Sequence, residues 1–173
     1  MDTSISSLPF SFNPETGDLK GKIDCRNLLI KNCSSGNVPK ELKVFGSIDE
    51  NLPDNAIFIG YHGRVASQKG IEVLVSSITP LLEVFDNIYF IIMGQGETRL
   101  EEEIKNKVFE HQKRILFLNG YEKTYARLTT ASCDFMTFPS FFEPCGLEDY
   151  IANIYGSLPV AHKTGGLNKI CDM

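Results

Sequence analysis

Apolar positions along the chain fall into two regimes. Residues 1–56 show no sustained period and are dense in Ser, Asn, Asp, Gly and Pro, with turn signals at Asn13-Pro14, Thr16-Gly17-Asp18 and Ser34-Ser35-Gly36-Asn37. Only ELKVF (41–45) suggests a short helix, so the stretch is expected to be an irregular lead-in. From residue 57 short apolar runs alternate with amphipathic stretches. AIFIGYH (56–62), IYFIIM (88–93), ILFLNG (115–120), DFMTF (134–138) and LPVAH (158–162) read as strands. Between them, 71–85, 97–110, 123–132 and 147–155 carry helical spacing, with Pro80 expected to split or kink the first. Strands of five or six residues alternating with helices predict βαβ units and a Rossmann-like parallel sheet flanked by helices over 57–173.

Composition narrows the function classes. The formal net charge is −5 and no basic cluster exceeds a pair, which argues against nucleic acid as a partner. A small anionic ligand stays open, since two or three placed cations suffice for a diphosphate. Cys25, Cys33, Cys133, Cys145 and Cys171 have no metal-ligand spacing. An odd count without a secretory signal predicts reduced thiols in a cytoplasmic protein. No apolar run is long enough for a membrane span, and no membrane partner is expected.

The loops that follow the strands are GRVASQKG, GQGE, GYEK, FPSFFEPCG and HKTGG, and most unusual residues of the chain fall on them. In a parallel α/β sheet ligands bind beyond the strand C-termini. Gly63, Gly70, Gly94, Gly96, Gly146, Gly165 and Gly166 would let backbone approach an anion, although such turns favour glycine in any case. Arg64 and Lys69 bracket one loop and either grip one phosphate-bearing ligand or are solvated cations. Tyr121 either stacks on a base or packs at the core edge. Glu143 is either a helix-start acid or a ligand contact, and Cys145 is either a packing residue or an activated thiol.

GRVASQKGIEVL, the order IIMGQGE … NGYEKTYARLTTASCDFMTFPS, and above all FEPCGL followed by YGSLPVAHKTGGL resemble the C-terminal half of bacterial and plant glycogen and starch synthases. FNPETGD (12–18) resembles their interdomain stretch. That family consists of retaining glucosyltransferases of the two-domain GT-B architecture. The resemblance implies that Arg64 and Lys69 hold the donor diphosphate and that Tyr121 stacks on adenine. Glu143 then accepts hydrogen bonds from the transferred glucose, its direction fixed by Phe141, Phe142 and Pro144. Cys145 and Gly146 shape the wall near the sugar, and the N–H groups of Gly146 and Leu147 face the phosphates. Gly63 lies at the same site, and Thr164, Gly165 and Gly166 close the pocket. The donor implied is ADP-glucose, with UDP-glucose as the alternative, and neither a cofactor nor a metal is implied. The acceptor is an α-1,4-glucan.

Two departures accompany the resemblance. Glu148 and Asp149 stand where the family usually has a small or polar residue and Gln. Such acids beside a phosphate are unfavourable unless they point into solvent. The family's acceptor-binding N-terminal domain and the end of its C-terminal domain have no counterpart. The sheet is therefore expected to be incomplete and the chain inactive alone; a non-catalytic nucleotide-sugar-binding module is the alternative. A plastid location replaces the cytoplasm if the source is a plant.

Overall fold

The computed structural model describes residues 8–172. The chain start read for a missing leader and the Cys171 side chain lie outside the described residues. Six strands form one sheet: β1 (Leu42–Ile48), β2 (Ile57–His62), β3 (Ile88–Gly94), β4 (Arg114–Gly120), β5 (Phe135–Phe138) and β6 (Leu158–Ala161), in the order β1-β4-β3-β2-β5-β6. All neighbours are parallel except β1, which pairs antiparallel with β4. The helices are α1 (Lys20–Ser34), α2 (Ile71–Val84), α3 (Thr98–Glu110), α4 (Lys123–Ser132) and α5 (Glu148–Ile154). The expected Rossmann-like α/β sheet flanked by helices is what the chain forms.

The strand β3, IYFIIMG, is buried along its whole length, as a central parallel strand covered on both faces must be. On one face Leu29 of α1 and Leu128 of α4 pack with Phe58, Leu116 and Leu118. On the other, Ile71 and Ile78 of α2 and Leu100 and Ile104 of α3 pack with Phe90, Ile92 and Phe117. Of the two expected effects of Pro80, a split or a kink, the split does not occur, since α2 runs unbroken through it. Leu81 and Leu82, beyond the proline, pack on the same core as Ile78, and that burial offsets the ~3 kcal/mol propensity cost of an interior proline.

Within the described residues 8–56, the expected irregular lead-in is also corrected. Lys20–Ser34 is a helix of 15 residues, and the expected helix at 41–45 is instead the start of strand β1 from Leu42 onward. Two cations hide the amphipathic pattern of α1. Lys22 is buried and donates to Tyr155 O and Ser157 Oγ, while Arg26 donates to Ser132 O and Asp134 Oδ1. In β1, pairing with β4 from Leu42↔Gly120 to Ile48↔Arg114 overrides the weak helical propensity of ELKVF.

Chain order places β3 and β4 to one side of β2, and β5 and β6 to the other. The order therefore reverses between β2 and β5, and the crevice beyond their C-termini is the topological switch point where such sheets bind ligands. Among the described residues no helix is long and apolar enough to cross a membrane.

Candidate functional site

The crevice at the switch point is a cleft of about 250 Å³. Two loops build it, residues 63–70 after β2 and 139–147 after β5. The first loop is fastened from behind. The buried Tyr61 hydroxyl donates to Arg64 O at 2.7 Å, Val65 N–H donates to Gln95 O at 3.0 Å, and Glu97 N–H returns a bond to Val65 O at 2.8 Å. The Glu97 carboxylate accepts from Ser67 N–H at 2.9 Å and from the Ser67 hydroxyl at 3.1 Å. GQGE is thus a brace for the cation-bearing loop. A Cβ on Gly96 would lie 2.1 Å from Val65 O, so only glycine allows this approach.

A single 3-10 turn, Ser67–Lys69, ends the first loop at Gly70, whose φ of 68° is left-handed. A Cβ there would meet Pro139 O at 2.0 Å, so the two loops touch through that glycine. Their contact delivers Lys69 Nζ to 2.5 Å from Glu143 Oε2. Arg64 is exposed beside them, its guanidinium donating to Gln68 Oε1 at 3.2 Å.

The second loop hangs on backbone contacts. Phe141 N–H donates to Gln68 O at 3.0 Å, and the Thr164 hydroxyl donates to Phe141 O at 3.2 Å. Gly166 N–H donates to Glu143 O at 2.7 Å. A Cβ on Gly165 would lie 2.2 Å from Glu143 O, and one on Gly166 2.2 Å from Cys145 O. The TGG turn is therefore stacked directly on the peptide backbone of 143–145. Phe141 and Phe142 are 56% and 59% exposed, which corrects the expectation that they steer Glu143. Lys69, Ser140 (hydroxyl 3.4 Å from Glu143 Oε2) and the TGG backbone hold the acid instead.

Of the residues singled out in the sequence, Gly63, Arg64, Lys69, Tyr121, Glu143, Gly146 and Leu147 line the cleft together. Cys145, Thr164, Gly165 and Gly166 do not line it; they form the layer behind, and the Cys145 thiol is free and exposed. Cys25, Cys33 and Cys133 are free and buried, and burial pushes the Cys33 and Cys133 thiols up to about 12.

The two acids that depart from the family pattern do not point away from the site. Glu148 and Asp149 both line the cleft. Glu148 Oε2 lies 3.5 Å from His62 Nε2, and burial holds the imidazole below its usual pKa against the opposing pull of that carboxylate. Asp149 is fully buried and neither oxygen accepts a hydrogen bond, but Lys169 Nζ stands 3.2 Å from Oδ1 as its counter-charge. Sequence reasoning passed over His62, Ser140 and Lys169. The place of His62 at a strand C-terminus was a usable signal; nothing in the spacing of Lys169 marked it. Among the described residues no group of three or more His, Cys, Asp or Glu side chains is placed to hold a metal ion.

Similarity to known proteins converges on one family. A family model described as "Glycosyl transferases group 1" matches residues 47–173. A probable glycogen synthase of Methanocaldococcus jannaschii is 37% identical over 127 residues, 73% of this chain and 24% of that protein. A glycogen synthase of Acholeplasma laidlawii is 33% identical over 91% of this chain and 32% of its own length. Soluble starch synthase 1 of Solanum tuberosum is 31% identical over 87% of this chain and 21% of its own length. The chain thus spans between about a fifth and a third of the length of these relatives. Among solved structures, the catalytic domain of starch synthase IV from Arabidopsis thaliana, bound to ADP and acarbose, superposes with a TM-score of 0.75. It shares 28% identity over 96% of this chain and 31% of that one.

Proposed function

The chain belongs to the glycosyl transferases group 1 family, and from that premise we propose that it is the donor-binding half of a glycogen or starch synthase. In this reading the full enzyme transfers glucose from ADP-glucose to the non-reducing end of an α-1,4-glucan with retention. The observation that carries the proposal is the convergence of Arg64, Lys69 and Glu143 at the mouth of the β2/β5 switch point. Two cations and one carboxylate, 2.5 Å from one of them, match a ligand that is a diphosphate at one end and a polyol at the other.

Lys69 and Glu143 neutralise each other across the cleft. In the proposed mechanism the donor diphosphate takes the Lys69 ammonium and Arg64 closes from the exposed side. Glu143, released from its pair, accepts hydrogen bonds from glucose hydroxyls. Tyr121, 59% exposed at the rim, offers a ring face to the adenine. As the bond between C1 and the phosphate oxygen breaks, negative charge grows on that oxygen. Fixed cations there stabilise the transition state more than the ground state. The acceptor hydroxyl forms the new C1–O bond on the same face, and its proton passes to the departing phosphate. The acceptor comes from the other half of the enzyme, so these 173 residues bind donor without transferring it.

Calorimetry with ADP-glucose, ADP and UDP-glucose tests the reading. The expected result is saturable binding of ADP-glucose that is lost in Arg64→Ala and Lys69→Ala. Absence of heat at millimolar donor would sink the site, and tighter binding of UDP-glucose would overturn the assignment of the base.

A further inference from the structure

Behind the cleft, Lys169 occupies a position that the donor-binding reading leaves without a role. It lies in the 3-10 segment Gly165–Asp172, which follows the TGG turn. Its ammonium donates to two backbone carbonyls, Cys145 O at 3.2 Å and Gly146 O, and stands 3.2 Å from Asp149 Oδ1 as an ion pair. Two hydrogen bonds and one charge contact engage the ammonium from the protein side. The Tyr150 ring lies 4.2 Å from Nζ and covers it further. Such an arrangement fixes the ammonium at one point.

Two of those acceptors are consecutive carbonyls of the FEPCGL turn. In a trans peptide the N–H points opposite the C=O of the same unit, and none of the described peptide bonds is cis. Drawing Cys145 O and Gly146 O toward Lys169 therefore turns the Gly146 and Leu147 N–H groups the other way. Gly146 and Leu147 line the cleft, and neither N–H is given to a backbone acceptor among the described residues. Gly146, at φ 59°, provides the left-handed turn this needs. Asp149 sets where the ammonium sits. It is fully buried, accepts no hydrogen bond, and has Lys169 as its counter-charge.

We propose that Lys169, anchored by the buried Asp149 carboxylate, is a positioning residue that holds the Cys145 and Gly146 carbonyls and so aims the Gly146 and Leu147 N–H groups at the donor diphosphate. This rests on the donor-binding reading for the identity of the ligand, but not for the geometry of the turn. A purely structural role for the pair makes a different prediction. In that case Lys169 serves only to neutralise Asp149, and removing both charges restores everything.

The test uses the 173-residue chain with Lys169→Met, Lys169→Arg and the double variant Asp149→Asn/Lys169→Met. The measurements are calorimetric affinity for ADP, inorganic pyrophosphate and adenosine, melting temperature, and the backbone amide resonances of Gly146 and Leu147. In Lys169→Met, ADP and pyrophosphate are expected to bind at least tenfold more weakly while adenosine is unchanged, and both amide resonances shift in the free protein. Lys169→Arg, which still donates to the carbonyls, recovers most of the loss. The double variant regains the melting temperature but keeps the phosphate deficit. A double variant that binds ADP like the wild type, or a loss shared equally by adenosine, overturns the proposal. If the wild type binds neither ADP nor pyrophosphate, the donor reading falls, and the amide resonances still decide this one. A shift on Lys169→Met supports the positioning role, and unmoved resonances overturn it.

Discussion

The two ends of strand β5 each carry a short ion pair, and the pairs do opposite jobs. At the N-terminal end Arg26 meets Asp134 at 2.7 Å. Arg26 also donates to Ser132 O and lies 4.2 Å from the Phe58 ring centroid, while Asp134 accepts the Phe58 N–H at 2.8 Å. That end is a closed network joining α1 to the sheet. At the C-terminal end Lys69 meets Glu143 at 2.5 Å, with Ser140 as a weak third member, and the pair faces an open cleft. Distance alone does not separate a structural pair from one held for a ligand. The spare donor and acceptor capacity of the two groups does.

That contrast can be broken from either side. Arg26→Ala removes half of the closed pair and is expected to destabilise the fold by about 2 to 3 kcal/mol, read as a lower urea midpoint. Donor affinity, measured by calorimetry at a temperature where the variant is folded, should not change. Lys69→Met is the mirror case. Donor binding should weaken roughly 10- to 100-fold through the lost charge-assisted bond, whereas stability moves by no more than about 1 kcal/mol. Equal stability losses in the two variants would erase the distinction.

Gly70→Ala probes the contact between the loops. With φ at 68° and Pro139 O only 2.0 Å from the new Cβ, a cost of about 1 to 2 kcal/mol is expected. Because Lys69 is the neighbouring residue, donor affinity should fall with it, unlike in Arg26→Ala. The smallest effect concerns His62. Its pKa is lowered by burial, so the unfolded chain takes up the proton more readily. Stability is then highest above the ordinary histidine value of about 6.5 and declines as pH falls from there toward the folded value. Glu148→Gln removes the attraction that partly opposes this shift, so the imidazole titration followed by NMR should move lower still. A move upward would mean that Glu148 does not face His62 in solution.

The comparison also explains what could be read in advance. From β2 onward the alternation of strand and helix was legible, because each element buries a stripe of its own sequence. Arg64, Lys69, Tyr121 and Glu143 were legible as candidates because strand C-termini in a parallel sheet mark the ligand side before any coordinates exist. The α1 helix was not legible. Its buried face includes Lys22 and Arg26, whose acceptors lie between 106 and 135 residues away. A window of a dozen residues sees such positions only as polar. The surroundings of Glu148 and Asp149 were not legible for the same reason, since their partners His62 and Lys169 come from β2 and from the segment beyond β6.

The sequence by itself determined the parallel α/β class, the strand ends where chemistry gathers, and the FEPCGL and TGGL motifs that tie the chain to its family. These are local properties, set by periodicity and by residue types at fixed spacing. Only the tertiary structure decided that the cleft lies between β2 and β5, that Lys69 faces Glu143, that GQGE serves as a brace, and that Lys169 stands behind the turn. Each of those facts is a meeting of segments far apart in the chain. Whether a charge is solvated, paired or held for a ligand depends on what the fold brings within about 4 Å of it.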